Sequence, residues 1–195
     1  GPRVMAPQLC FVLGGVRSGK SAYAESLAIG LSQVAGQPAL YVATGVAFDE
    51  EMKDRIQRHQ ESRPQDWSTL EEPIKLAERI SPLLKKGDST GVVIIDSVDS
   101  WVANLLMEHQ TEDNQTQEKV VTGEADKLLH LISDAHEAFV LVSSEVGLSL
   151  VSADPLGRRF QDLLGTVNQR IAANATEVYM VVAGIPSKIK SAGTE

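Results

Sequence analysis

Apolar residues along the chain fall into five short runs, separated by longer stretches in which polar and apolar positions recur with helical spacing. The runs are LCFVLGG (9–15), ALYVATG (39–45), GVVIIDS (91–97), AFVLVSSE (138–145) and EVYMVVAG (177–184). Each is too short for a buried helix, and each is nearly continuous in apolar character. A strand with one wet face would alternate, so an unbroken run predicts a strand covered on both faces, as in a parallel sheet. The segments 19–34, 48–62, 73–86, 98–109, 115–137 and 155–175 read as helices. Alternation of the two kinds predicts a doubly wound α/β sheet. Residues 60–73, with two prolines and a tryptophan, read as a loop, and the polar stretch 110–118 reads as a mobile one. The last residues, KSAGTE, are expected to fray.

Length and composition narrow the picture without choosing a function. The 195 residues suit a single domain over 1–195, with residues 1–8 as a flexible N-terminus and Gly1-Pro2 as a remnant of tag removal. A net charge of -8 argues against nucleic acid and against acidic membrane surfaces. No apolar run approaches the ~20 residues that span a bilayer, and the start lacks a signal-peptide pattern. The single cysteine, Cys10, excludes an internal disulfide and reads as core in a reducing, cytoplasmic setting.

The chemistry begins where the first apolar run ends. Gly14-Gly15-Val16-Arg17-Ser18-Gly19-Lys20-Ser21 matches G-x-x-x-x-G-K-[ST] between a predicted strand and a predicted helix. Glycines let successive backbone N–H groups converge on one concavity, which suits phosphate oxygens. The helix N-terminus adds partial positive charge. Lys20 then reaches the β- and γ-phosphates, and Ser21 offers a hydroxyl to Mg²⁺. With this loop the fold class becomes P-loop NTPase-like, a mostly parallel sheet flanked by helices. Asp96 ends the apolar run GVVIID, where such a fold holds its second Mg²⁺ contact, although a strand-terminal Asp also serves as a helix cap.

The four histidines, His59, His109, His130 and His136, are scattered, and no cysteine cluster accompanies them, so zinc is not indicated. A G-x-S-x-G elbow is absent. On a helix, Arg55, His59 and Arg63 share one stripe. Two flanking cations would disfavour the imidazolium, and a neutral imidazole is a nucleophile. The same residues equally describe a solvated basic stripe balanced by Asp49, Glu50 and Glu51. A GTP-dependent switch would carry N-K-x-D, which is missing. The D-x-x-G match at 88–91 precedes a strand instead of following the Asp96 strand.

From about Leu9 to Lys190 the chain resembles the bifunctional adenosylcobinamide kinase / adenosylcobinamide-phosphate guanylyltransferases of cobalamin biosynthesis. The resemblance rests on GGVRSGKS, LYVATG, DEEMKDRIQRHQESRP, DWSTLEEP, VIIDSVDSWVANLL, SSEVGLSLV, GRRFQDLLGTVNQRIA and VVAGIPSKIK, in that order. It implies two reactions: phosphorylation of adenosylcobinamide by ATP or GTP, then transfer of GMP from GTP through a covalent histidine. It implies that His59 is that histidine. It implies nucleotide contacts from Gly14 to Ser21, from Thr44, Gly45 and Val46, from Glu61, Ser62 and Arg63, and from Glu71 and Asp96. A homotrimer is also implied. The chain departs from the family pattern at Ser144, where asparagine is usual, and at Ser152, where proline is expected. Arg58 replaces the additional histidine that some relatives carry before the nucleophile. A P-loop kinase without guanylyl transfer is the rival reading.

Overall fold

The computed structural model describes residues 7–46, 53–54, 57, 61–85 and 89–192. Among them seven strands form one sheet: β1 (Leu9–Gly14), β2 (Ala39–Ala43), β3 (Ser68–Glu71), β4 (Val92–Asp96), β5 (Ala138–Ser144), β6 (Glu177–Val182) and β7 (Ile185–Lys190). Five helices accompany them: α1 (Lys20–Ala35), α2 (Leu76–Lys85), α3 (Val98–Glu108), α4 (Asn114–Asp134) and α5 (Pro155–Asn174). The order across the sheet is β3-β2-β4-β5-β1-β6-β7. Every neighbouring pair is parallel except β6–β7, a hairpin.

Both faces of the central strands are covered, which is why their sequences do not alternate. Leu9, Phe11 and Leu13 of β1 point to one face with Val93, Ile95, Phe139 and Leu141, and four helices pack there. Trp101 of α3 and Leu164 of α5 are among its largest fully buried side chains. Cys10 and Val12 point to the other face with Ile94, Val140 and Val142, beneath Ala24 and Ala28 of α1. Small residues on α1 let it approach the sheet closely. The connections from the adjacent strands β1 and β5 leave in opposite directions, one toward β2 and one toward β6. In open α/β sheets ligands bind outside the carboxyl ends at such a point.

All five predicted strands are present, and the two edge strands are additions. β3, with the sequence STLE, lies inside the stretch read as a loop, and β7, with the sequence IPSKIK, was not foreseen as a strand. Both are mostly exposed and carry no apolar run; β7 also holds Pro186, tolerated at an edge. The helix expected from residue 73 begins at Leu76, because Glu72 Oε2 accepts the Ile74 and Lys75 amides, each at 2.9 Å. The stretch 110–118 is also corrected. Asp113 caps α4 by accepting the Thr116 amide at 2.7 Å, and Gln117 Nε2 donates to the carbonyls of His109 and Glu112 at 3.0 and 3.2 Å. Polarity there marks a helix start, not a mobile loop. Lys190 still belongs to β7, its Nζ donating to Ala172 O at 2.9 Å. The helix expected over 48–62 falls largely outside the described residues, and so does His59.

Candidate active site

The glycine-rich loop leaves β1 at Gly14 and enters α1 at Lys20. Arg17 has φ 56° and Gly19 φ 90°, both left-handed, and these two residues turn the chain back on itself. Gly14 is required by close approach: a Cβ there would lie 2.3 Å from Ser18 Oγ and 2.9 Å from the Val181 carbonyl oxygen. A Cβ on Gly15 would meet nothing within 4 Å. Lys20 Nζ donates to the Gly15 carbonyl at 3.0 Å, arched over the loop. The Ser18 hydroxyl is buried and has no hydrogen-bond partner among the described residues. The β6–β7 turn buttresses the loop, since the Gly184 amide donates to Ser18 O at 2.7 Å.

Asp96 ends β4 on the α1 face of the sheet and accepts a hydrogen bond from the Tyr41 hydroxyl at 2.7 Å. Burial and the Asp96 charge both push the Tyr41 phenol above its ordinary range, so it stays a donor. β5 lies between β1 and β4, which sets Asp96 two strands, about 10 Å, from the loop's strand. The hydroxyl of Ser21 and the carboxylate of Asp96 are hard oxygen donors, the type that Mg²⁺ selects. Mg²⁺ keeps several waters, so a pair of separated protein oxygens fits a largely hydrated ion. Among the described residues no cluster of three acidic, histidine or cysteine side chains offers a closed metal cage.

The other implied contacts divide. Gly45 and Val46 are exposed just past the end of β2, and Glu71 is exposed at the end of β3, paired with Ala43. All three lie on the same carboxyl edge as Asp96. Thr44 is different: it is fully buried, its Oγ1 donates to Ser97 O at 2.7 Å and accepts the Ser97 amide at 2.8 Å. Its side chain joins β2 to β4. Glu61 and Ser62 are exposed. The Arg63 side chain is only 6% exposed, paired with Glu25 at 3.5 Å and stacked 3.2 Å from the centroid of the Tyr41 ring.

Several residues of this edge were missed by the sequence reading. Asn104 Nδ2 donates to Thr44 O at 2.8 Å and to Pro73 O at 3.1 Å, tying together the ends of β2 and β3. Its only signal in the sequence was its place in the VIIDSVDSWVANLL block. Asn168 of α5 accepts from the Ser143 hydroxyl at 2.7 Å and donates to Ser144 O at 2.9 Å, and no periodicity marks it. Ser144, where the family pattern has asparagine, donates to Asp99 at 3.0 Å. Ser152, where a proline was expected, donates its amide to Gln161 Oε1 at 3.0 Å, a bond proline cannot make. Glu145, Val146, Arg158, Asp162 and Gln169 line an open cavity of about 610 Å³ between the β5–α5 connection and α5.

Of the described histidines, His130 pairs with Asp134 at 3.6 Å where α4 runs into β5, and His136 follows it. That is the opposite edge of the sheet from the loop. His109 closes α3, its Nδ1 2.9 Å from Glu112 Oε2. No helix among the described residues is long and apolar enough to cross a membrane.

Residues 10–189 match the family model for cobinamide kinase / cobinamide phosphate guanyltransferase. The chain is 38% identical over 188 residues to the bifunctional adenosylcobalamin biosynthesis protein CobU of Escherichia coli, covering 93% of this chain and 99% of the relative. It is 37% identical to the protein of the same name from Salmonella typhimurium, with the same coverage. It is 37% identical over 179 residues to the bifunctional adenosylcobalamin biosynthesis protein CobP of Pseudomonas aeruginosa, covering 92% of this chain and 95% of the relative.

Proposed function

The chain belongs to the cobinamide kinase / cobinamide phosphate guanyltransferase family, a P-loop kinase and nucleotidyltransferase of cobalamin biosynthesis, and we propose that one carboxyl edge of its sheet serves both reactions. In the first, the loop from Gly14 to Ser21 holds ATP or GTP, and the hydroxyl of adenosylcobinamide attacks the γ-phosphorus. The bond from the γ-phosphorus to the β,γ-bridging oxygen breaks, the nucleoside diphosphate leaves, and the hydroxyl proton passes to solvent. In the second, a neutral His59 imidazole attacks the α-phosphorus of GTP, and pyrophosphate leaves. The phosphate oxygen of adenosylcobinamide phosphate then attacks the same phosphorus, releasing His59 and giving adenosylcobinamide-GDP. A neutral nucleophile avoids bringing a phosphate dianion directly against the triphosphate, and the split replaces one difficult transfer with two easier ones.

This chain's residues supply positioning and charge. Lys20 and the loop amides neutralise the phosphates, and the buried Ser18 hydroxyl is a further donor at the floor of the loop. Ser21 and Asp96 would hold Mg²⁺, which when bound neutralises charge on the phosphate oxygens. Gly45, Val46 and Glu71, on the same edge, complete the nucleotide contacts, with Glu61 and Ser62 after them. Assembly is as a homotrimer in the cytoplasm, and the exposed Val182, Ile185 and Ile189 of the β6–β7 hairpin supply an apolar surface for it.

The observation that carries the reading is a convergence. The segment bearing His59 follows β2, whose last residue Ala43 pairs with Asp96, and the chain beyond it brings Arg63 against Tyr41, whose hydroxyl donates to Asp96. GTP labelled on its α-phosphate should leave acid-labile, alkali-stable label on the protein, whereas γ-label should not. His59→Ala should lose the label and the guanylyl transfer and keep kinase activity within about tenfold, because γ-phosphoryl transfer needs no enzyme nucleophile. Label that survives in His59→Ala, or that maps to His109, His130 or His136, overturns the assignment. A wild type that phosphorylates the corrinoid but takes no label would be a kinase only.

A further inference from the structure

The open cavity of about 610 Å³ between the β5–α5 connection and α5 shares a wall with the phosphate loop. Leu13, the residue before Gly14, and Glu145 both line it, and the Glu145 amide donates to Gly14 O at 3.1 Å. It therefore lies where β1 and β5 end side by side, Gly14 opposite Ser144, at the point from which their connections diverge. Open α/β sheets take their ligands at such a point. One wall is a single stripe of α5, with Arg158, Gln161, Asp162, Gly165 and Gln169 at helical spacing. Two of these side chains hold the facing loop. Gln161 Nε2 donates to Ser149 Oγ at 3.2 Å and to Leu150 O at 3.0 Å, its Oε1 accepts the Ser152 amide at 3.0 Å, and Arg158 donates to Ala153 O at 2.8 Å. Asp162 and Gln169 line the space on either side of Gly165, where a Cβ would meet nothing within 4 Å. The loop held in this way turns three apolar side chains to solvent: Leu148 is 82% exposed, Leu150 94% and Val151 80%. A single exposed apolar residue is ordinary, but three within four positions, on a tied loop beside a cavity, mark a contact surface.

We propose that this cavity and its apolar rim take the corrinoid, holding it beside the phosphate loop so that its hydroxyl arm reaches the γ-phosphate. The inference rests on adenosylcobinamide being the acceptor, as in the function proposed above. A corrinoid is a broad macrocycle with apolar faces and amide arms around its edge. Amide arms both donate and accept; Gln169 can answer in both senses, and Asp162 by accepting. The ring is too broad for the cavity to enclose, so its face rests on Leu148, Leu150 and Val151 while its arms enter. Covering that rim supplies apolar affinity, and the polar wall fixes orientation. The cavities of about 500 and 370 Å³ cannot serve, because both are lined by His136 and Glu137, just before β5 begins, at the opposite edge of the sheet from the loop.

Gly165→Phe fills the cavity from its helical wall, at a position with room for the first side-chain atom and where a non-glycine residue favours the helix. Equilibrium dialysis of adenosylcobinamide, read by the corrinoid's own visible absorbance, should show binding about tenfold weaker or worse in this variant. Its dissociation constant for ATP should stay within about threefold of wild type, since the phosphate loop is untouched. A triple variant, Leu148→Ser with Leu150→Ser and Val151→Ser, removes the rim at exposed positions and should weaken corrinoid binding in the same direction, again with ATP binding kept. It keeps the test intact if Gly165→Phe folds poorly. Wild-type corrinoid affinity in both variants would overturn the site while leaving the corrinoid as substrate. A parallel loss of ATP and corrinoid affinity would also overturn it, as damage to the phosphate loop. A triple variant that changes oligomeric state in sedimentation yet binds the corrinoid normally would make the rim a contact between copies and overturn its role here. A wild type that neither binds nor phosphorylates adenosylcobinamide would overturn the substrate reading, and this site with it.

Discussion

Two adjacent glycines of the phosphate loop should respond differently to the same added methyl group. In Gly14→Ala the new Cβ would sit 2.3 Å from Ser18 Oγ and 2.9 Å from Val181 O, whereas in Gly15→Ala it would meet nothing within 4 Å. The serine hydroxyl can rotate away. The Val181 carbonyl cannot, because β6 is paired with β1 at this level, Gly14 opposite Val181. Forcing atoms into a packed site of this kind costs about 1–3 kcal/mol. Relief by shifting the loop would appear as roughly 5- to 150-fold weaker GTP binding, at about 1.4 kcal/mol per tenfold. If the fold bears the strain instead, the unfolding midpoint drops by about 2–4 °C per kcal/mol for a chain of this size. Calorimetric titration with GTP and thermal unfolding without nucleotide read both routes. Gly15→Ala should bind within about threefold of wild type and unfold at the same temperature, since its backbone is not in the left-handed region and its surroundings are open. Wild-type behaviour of Gly14→Ala in both assays, or an equal loss in Gly15→Ala, would refute the reasoning.

Lys20→Ala should abolish corrinoid phosphorylation and protein guanylylation together, because both draw on one triphosphate site; near-normal labelling in that variant would require a second site. Asn104→Ala leaves the Thr44 and Pro73 carbonyls without their donor and should cost about 2 kcal/mol at about 1 kcal/mol per bond, read as a lower denaturant midpoint at unchanged slope. Burial first, and then the charge of Glu177, push the Cys10 thiol up to about 12. Native protein should therefore resist a thiol reagent at pH 8, where only about one thiol in 10⁴ is ionised, and react fully once unfolded in denaturant.

The sheet's central strands, the helix alternation and the phosphate loop were legible in the chain itself. Strands covered on both faces write their burial as unbroken runs such as VVIID, and the loop writes its conformation as glycines beside a lysine and a serine. Both signals are local, so they survive reading one residue after another. The edge strands β3 and β7 left no such trace, because a half-exposed strand needs a neighbour to pair with and not an apolar run. Residues 110–118 misled for a related reason: a polar stretch can be a loop or a capped helix start, and only Asp113 meeting the Thr116 amide separates the two. The active edge is the most tertiary feature of all. Arg63 and Glu25 are far apart in sequence, and Asn104 is distant from both carbonyls it holds. His59 could be singled out only by family resemblance, and it lies outside the described residues. Strand order brings the other residues of this edge together, and strand order is set by which covered faces pack, a sum over the whole core that no single segment records.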